Sequence, residues 1–169
     1  MKKILIACAA LLLSSSLFAA KPLKVSSGSI DVLKEDVTAT VTIDLSQATF
    51  EGEKDFKTWC EGEYDTRVKL INDSFFEYFN KYSKGMKLVK DDAPYQLQFK
   101  IKKFERKMGA NFGQFSMKID GAITIVDKAS GETVCQLDVD GIKGAADFVE
   151  NDRFPKTMDT LCKEISKLK

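Results

Sequence analysis

Catalysis by this chain would have to use carboxylates, lysine, tyrosine or cysteine, because its 169 residues include no histidine. The His-dependent serine and cysteine triads and the zincin-type zinc motifs are therefore excluded. Asp91 and Asp92, together with Glu51 and Glu53, are candidates for paired carboxylates in glycoside chemistry if a fold brings them to one cleft. A small domain with short loops offers little room for such a cleft. We therefore assign no catalytic residue and expect that the chain is not an enzyme.

Metal and cofactor sites are not indicated by the motifs present. Asp138, Asp140 and Gly141 resemble the start of a calcium loop, but the closing glutamate of such a loop is absent. The glycine-containing segment 109–113 is not a phosphate loop, since no Gly-Lys-Ser/Thr follows it. We expect no metal and no cofactor.

Cys60, Cys135 and Cys162 follow the amino-terminal segment that contains Cys8. These three cysteines allow at most one intramolecular disulfide, and their spacing contains no C-x-x-C motif. Each lies in an apolar pattern, and free cysteines are among the most buried residues in proteins. We expect three buried thiols. The alternative is one disulfide, for which Cys60 with Cys162 is the first choice.

The binding candidates lie where the densest basic stretch meets a flexible loop. That stretch comprises Lys100, Lys102, Lys103, Arg106 and Lys107. Glu105 interrupts it, and strand alternation places Lys100 and Lys102 on the solvent face. In the adjoining loop we expect Phe112 to pack over the end of the sheet, whereas an exposed Phe112 would indicate a partner contact. Loops display side chains that a scaffold does not need for folding, so Arg106, Lys107 and Phe112 are our candidate binding residues.

Alternation of apolar and polar residues predicts the strands. The clearest strand covers 37–45, and an earlier one over 25–33, bent at Gly28, would form a hairpin with it through the turn at 34–36. Later strands begin at Tyr95, with a bulge near Lys103, and at Phe115, with a bend at Gly121. A hairpin loop over 127–131 then leads to a returning strand around 135–139.

Two amphipathic helices are predicted from apolar stripes at steps of three and four. The first covers 56–82, with Asp55 as its cap, Gly62 as its weak point and Gly85 as a left-handed stop. The second begins near Arg153, with Asn151 or Asp152 as its cap and Pro155 in its first turn.

The resulting order, β-β-α-β-β-β-α, predicts the α+β class. We expect a two-layer domain with a mainly antiparallel sheet and both helices on one face. Residues 21–169 would form this single domain, since a chain of that size buries enough surface to fold without metals or disulfides.

Residues 1–20 have the pattern of a cleavable signal peptide. Lys2 and Lys3 precede an apolar run over 4–13, which is too short to span a membrane, and cleavage is expected after Ala19 or Ala20. A lipid anchor on Cys8 is the alternative, but the run continues well beyond that residue. We expect an exported protein, either periplasmic or secreted, with no transmembrane segment in the mature chain.

The mature chain has no strong overall charge. Lys2 and Lys3 are the only charged residues of the first twenty, so 24 basic side chains remain against 25 acidic ones. No whole-protein field attracts nucleic acid or an anionic membrane, and we expect no nucleic-acid partner.

Three segments, residues 80–89, 93–99 and 129–139, resemble a family of small exported bacterial envelope proteins with no assigned function. The layout over 55–168 is also similar to the amino-terminal domain of TolB-type proteins and to the lipoprotein activators of penicillin-binding proteins. The resemblance implies an exported binding or assembly module that contacts an envelope protein or surface polymer. A small secreted carboxylate-dependent hydrolase and a structural or inhibitor-like module are the alternatives. The residues do not predict an oligomeric state.

Overall fold

The computed structural model describes residues 21–169, so the predicted signal peptide and Cys8 lie outside the described residues. Within 21–169 the strands are β1 (Leu23–Gly28), β2 (Thr38–Asp44), β3 (Thr49–Phe50), β4 (Lys54–Asp55), β5 (Lys87–Leu88), β6 (Tyr95–Met108), β7 (Phe115–Asp127) and β8 (Thr133–Lys143). The α-helices are α1 (Phe56–Trp59), α2 (Tyr64–Tyr82) and α3 (Arg153–Ile165), and short 3-10 helices cover Ile30–Leu33 and Glu61–Glu63. None of the helices in this part of the chain has the length and apolarity needed to span a bilayer.

The strands form one open sheet in the order β1-β8-β7-β6-β2-β5, with β3 paired to β6 and β4 paired to β3. The three longest strands pair antiparallel, β6 with β7 and β7 with β8, as expected. In contrast, β2 runs parallel to both β5 and β6. The α+β class is confirmed, but the sheet is mixed, and it contains two-residue strands that alternation could not predict.

The predicted hairpin between the first two strands is wrong. β1 ends at Gly28, which has a φ of +71°, and pairs antiparallel with β8 at the far edge of the sheet. Ser29 then caps the 3-10 helix Ile30–Leu33, because its hydroxyl accepts a hydrogen bond from the Asp31 amide at 3.1 Å. This local capping signal interrupts the apparent strand over 25–33, so β1 and β2 never become neighbours.

The bend in the central hairpin is confirmed. The register between β6 and β7 shifts after the Ile101–Gly121 pair, so that Lys103 pairs with Asp120 and Lys102 is the extra residue. A Cβ atom on Gly121 would lie 2.4 Å from the carbonyl oxygen of Lys100. Only glycine allows the two strands to approach this closely.

Helix α1 begins as predicted, and the long helical stripe divides near Gly62. The Thr58 amide donates to Oδ1 of Asp55 at 2.9 Å, which makes Asp55 the N-cap. The 3-10 helix Glu61–Glu63 contains Gly62 and separates α1 from α2. Gly85 is not a left-handed stop, because α2 ends at Tyr82 and Ser83 is extended. Gly85 instead allows close backbone contact, since a Cβ there would lie 2.3 Å from the carbonyl carbon of Lys34.

Helix α3 begins at Arg153 with Pro155 in its first turn, but no side chain caps it. Asp152 holds the N-cap position without a side-chain hydrogen bond. The predicted alternative, Asn151, accepts a hydrogen bond from Nε of Arg67 at 3.2 Å. The Asn151 side chain therefore links α2 to the segment before α3.

The core lies between the helices and one face of the sheet. Phe75 of α2 is fully buried, with its ring centre 5.4 Å from that of Phe99 on β6. Phe104 of β6 and Phe154 of α3 pack edge to face, which extends this core along the sheet. Cys60, Cys135 and Cys162 are all buried and unpaired, so the prediction of three buried thiols is confirmed and the Cys60–Cys162 disulfide is not formed.

Candidate functional site

One end of the sheet carries a cluster of protruding apolar side chains, which we call the apolar tip: Met108, Phe112, Phe148 and Val149. Phe112 is fully exposed, and the other three are 75%, 64% and 55% exposed in the same order. Elsewhere in residues 21–169 the only other exposed large hydrophobic side chain is Val25, on the edge strand β1. Concentration of such residues at one place marks an interaction site more strongly than single scattered ones do.

The loop between β6 and β7 places Phe112 in solvent. Gly109 donates its amide to the Gln114 carbonyl at 2.8 Å, and the Gln114 amide donates to the Asn111 carbonyl at 3.1 Å. Gly113 has a φ of +82°, which closes the turn. The expectation that Phe112 packs over the sheet is therefore wrong, because the turn is closed by its own hydrogen bonds and directs the ring outward.

The segment before α3 supplies the second half of the apolar tip. Phe115 and Asp147 form an isolated antiparallel bridge, which holds this segment against the start of β7. Buried Arg153 donates from Nε to the Asp147 carbonyl at 3.1 Å and from Nη2 to the Phe148 carbonyl at 3.0 Å. Arg153 therefore holds in place the backbone that carries Phe148 and Val149.

The two loops lie side by side. A Cβ atom added to Gly113 would lie 3.8 Å from the Phe148 ring, and one added to Gly109 would lie 2.8 Å from the Cβ of Ala146. Phe112, Phe148 and Val149 therefore protrude from adjacent loops whose backbones are fixed to the sheet, and Met108 protrudes from the end of β6 beside them.

Arg106 and Lys107, the other predicted binding residues, lie beside the tip but on opposite faces of the sheet, since successive strand residues alternate. Arg106 pairs with Met117, whose side chain is buried on the helix-covered face. Its guanidinium lies 5.3 Å from the Phe50 ring centre, and its Nε donates to Glu51 at 3.3 Å. Of these two residues, only Arg106 therefore lies on the sheet face that packs against the helices.

Lys107 belongs to a separate ion-pair cluster on the other face. Glu105 accepts from Lys103, from Lys107 at 3.0 Å and from Lys118 at 3.3 Å. Hydrogen bonds from Lys103 and Lys107 lower the pKa of Glu105 to about 2. Lys103, Lys107 and Lys118 are therefore directed at one partly buried carboxylate of the chain itself.

The carboxylates considered for catalysis are far apart. Asp92 pairs with Lys128 near the start of β6, and the Glu51 amide donates to Phe104 near its end. The intervening length of strand is about 30 Å at ~3.3 Å per residue, whereas glycosidase carboxyl groups lie about 5–9.5 Å apart. Asp92 and Glu51 are therefore too far apart to form the pair considered from the sequence.

The calcium-like segment is also accounted for by the fold. The Gly141 amide donates to Oδ1 of Asp120 at 2.7 Å, and Asp120 lies beside Lys118. Residues 21–169 contain no group of three or more potential metal ligands.

Phe148 and Val149 were not identified from the sequence. A signal was available, because this apolar pair stands alone in the acidic, polar segment 147–152 between two predicted elements. What could not be predicted is that this segment folds back beside Phe112.

A second site lies at the other end of α3, where a cavity of about 490 Å³ opens between the Ile30–Leu33 helix and the carboxyl ends of α2 and α3. We call it the lysine-rimmed cavity. Its lining consists of Ile30, Leu33, Lys34, Phe79, Ser83, Lys84, Cys162, Ile165, Ser166, Lys167, Leu168 and Lys169. Burial raises the pKa of the Cys162 thiol far above its usual value, so this cysteine contributes an uncharged wall.

No family model and no curated protein matches the sequence. Among solved structures, the chain is similar to a PelC dodecamer from Paraburkholderia phytofirmans, with 12% identity, a TM-score of 0.47, and coverage of 83% of this chain and 96% of that one. A DUF330 protein from Xanthomonas campestris is 11% identical, with a TM-score of 0.43 and coverage of 78% and 84%. A putative neuraminyllactose-binding hemagglutinin homolog from Helicobacter pylori is 14% identical, with a TM-score of 0.31 and coverage of 78% and 82%.

Proposed function

We propose that this chain is an exported, non-enzymatic binding module of the bacterial cell envelope that contacts a protein partner through the apolar tip. The observation that carries the proposal is the exposure of Met108 at the end of β6 and of Phe112, Phe148 and Val149 on two adjacent, anchored loops. Aromatic residues and methionine are enriched at the cores of protein interfaces, where burial of their exposed area stabilises the complex.

A protein partner fits these side chains better than a surface polymer does. Polysaccharides present hydroxyl groups that need hydrogen-bonding side chains, whereas all four residues of the tip are apolar. The nearest polar side chains of the loop, Asn111 and Gln114, hydrogen bond to each other at 3.0 Å. An apolar groove on a protein is the complementary surface.

The anchoring of the tip favours tight binding. Arg153 and the Phe115–Asp147 bridge fix the backbone before a partner binds. Association therefore loses little conformational entropy in this loop.

Partner capture by matched variants tests the proposal. The double variant Phe112→Ser/Phe148→Ser should lose at least tenfold in affinity for its envelope partner, while Val25→Ser, which alters the exposed hydrophobe outside the tip, should bind as wild type does. The partner is first trapped by a photo-crosslinking residue at position 112, identified by mass spectrometry and then titrated in purified form. The double variant should melt within a few degrees of wild type, because Phe112 and Phe148 are mostly exposed, and the melting temperature of Val25→Ser, whose side chain is 36% exposed, is measured beside it.

Equal capture by wild type and the double variant would contradict the tip as the binding surface. Hydrolysis of an envelope glycan or peptide that is abolished by one Asp or Glu substitution would contradict the non-enzymatic assignment.

A further inference from the structure

The lysine-rimmed cavity is independent of the apolar tip and has the features of a ligand site. Its volume of about 490 Å³ lies within the range of about 300–1,000 Å³ in which proteins hold small molecules. We infer that it binds an anionic single-chain amphiphile of the fatty-acid class, with the acyl chain inside the cavity and the charged head among the lysines.

The interior favours an aliphatic chain because its depth is apolar. Phe79 and Cys162 are each only 2% exposed and form the floor, while Ile30, Leu33 and Ile165 contribute the walls. Burying methylene groups against such a surface is the main source of affinity available there.

The polar side chains of the lining offer little to a polar ligand. The Ser83 hydroxyl donates to the Met86 carbonyl at 2.6 Å, and the Ser166 hydroxyl donates to the Lys163 carbonyl at 2.8 Å. Both hydroxyl protons are therefore engaged in hydrogen bonds within the protein. A sugar or nucleoside would bury hydroxyl groups of its own that these serines cannot donate to, and this would lower its affinity.

The rim selects a negative head group. The lining contains Lys34, Lys84, Lys167 and Lys169 and no acidic residue. Lys34 and Lys167 have exposed ion pairs with Asp31 and Glu164, whereas Lys84 and Lys169 have no ion-pair partner among the described residues.

The positive charge extends beyond the cavity itself. An adjoining depression shares Lys167, Leu168 and Lys169 with the cavity and adds Lys21 and Lys24, with Glu164 as its single acidic residue. Six different lysines therefore face this end of a chain whose formal net charge is only +1. Such a concentration of one sign attracts anions.

Titration with decanoate and dodecanoate, each below its micelle concentration, tests the inference on a chain of residues 21–169, which form the entire sheet and core described above. Methyl resonances of Ile30, Leu33, Ile165 and Leu168 should shift with saturable, one-site behaviour. Dodecanoate should bind about tenfold more tightly than decanoate, because its two additional methylenes are buried. Dodecyltrimethylammonium, which has the same chain length but a positive head, should bind at least tenfold more weakly than dodecanoate.

A charge-reversed pair of variants tests the rim. Lys34 and Lys84 are on neighbouring backbones, since the Gly85 Cβ position almost touches Lys34, and both side chains are exposed. Lys34→Glu/Lys84→Glu should weaken dodecanoate binding about tenfold at low salt. Lys54→Glu/Lys102→Glu imposes the same change in net charge on exposed lysines outside the lining and should leave the affinity within twofold of wild type.

Three results would each overturn the inference. They are the absence of saturable binding, methyl shifts centred on the apolar tip instead of the cavity, and equal losses in the two charge-reversed variants. Equal affinity for dodecanoate and dodecyltrimethylammonium would likewise remove the role assigned to the lysines.

Discussion

The guanidinium carbon of Arg153 lies 5.3 Å from the centre of the Phe115 ring, beneath the segment that carries Phe148. Arg153 is 4% exposed and donates hydrogen bonds to two backbone carbonyls of that segment. One buried side chain thus joins the first turn of α3, the first residue of β7 and the apolar tip.

Replacing Arg153 should loosen the tip before it unfolds the protein. Arg153→Lys keeps the charge but loses the planar fork that reaches both carbonyls, so we expect a loss of about 1–3 kcal/mol in the free energy of unfolding. Hydrogen exchange at residues 146–150 should accelerate. Lys156→Ala removes the half-exposed ion pair with Asp147 and should cost less than about 1 kcal/mol. Exchange in Arg153→Lys no faster than in wild type would show that Arg153 does not anchor the loop.

Phe75 should be among the most costly core positions. Its ring is fully buried between Phe79 and Phe99, so Phe75→Ala should lower the free energy of unfolding by about 3–5 kcal/mol. Lys69→Ala on the solvent face of the same helix removes an exposed ion pair with Asp73 and should change it by less than about 0.5 kcal/mol. Chemical denaturation compares the two, and equal shifts would contradict the packing of α2.

Two glycines should respond to alanine with opposite signs. Gly85→Ala forces a Cβ to within 2.3 Å of the Lys34 backbone and should destabilise the protein by about 1–3 kcal/mol. Gly62 has nothing within 4 Å of the same position and no positive φ, so Gly62→Ala should stabilise the fold by about 0.4–1 kcal/mol. The melting temperatures of the two variants, compared with that of wild type, give the sign of each change. Stabilisation by Gly85→Ala would show that the Gly85 contact is absent, and destabilisation by Gly62→Ala would show that its Cβ position is not free.

The three thiols should be protected in the folded protein and free when it unfolds. Burial raises the pKa of Cys60, Cys135 and Cys162, so a thiol reagent at neutral pH should react slowly with the native chain. Without reductant in denaturant, all three should react. Reaction of only one thiol would reveal a disulfide.

Glu105 should contribute a defined pH dependence to stability. Its pKa is lowered from 4.5 to about 2 by Lys103 and Lys107, so its contribution is fully present above about pH 4.5 and is lost as the pH falls towards 2. Glu105→Gln should therefore lower the melting temperature at pH 6 and reduce its decline between pH 4.5 and 2. A decline identical to that of wild type would contradict the assigned ion pairs.

Elements defined by their own periodicity were predictable from the sequence, and pairings between distant segments were not. The alternation around Val41, the bulge near Lys103 and the bend at Gly121 all appear in the fold. The pairing of β1 with β8 depends on segments more than 100 residues apart, and no local pattern encodes it.

The candidate sites show the same difference between local patterns, which the sequence predicts, and contacts between distant segments, which it does not. Phe112 was identified because its loop is local, although its exposure was not predicted. Phe148 lies beside it through contacts between distant segments, namely the Phe115–Asp147 bridge and the hydrogen bonds from Arg153. The lysine-rimmed cavity takes its walls from residues near 30, 80 and 165, so only the folded chain assembles it.

Helix α3 connects the two proposed sites as one continuous element. Its 13 residues span about 20 Å, from Arg153 under the tip to Ile165 in the cavity wall. If an amphiphile shifts this helix along its axis, the loop held by Arg153 shifts with it. Thermodynamic linkage then requires the coupling to be reciprocal, so that a partner whose affinity rises tenfold with the cavity filled must itself tighten amphiphile binding tenfold.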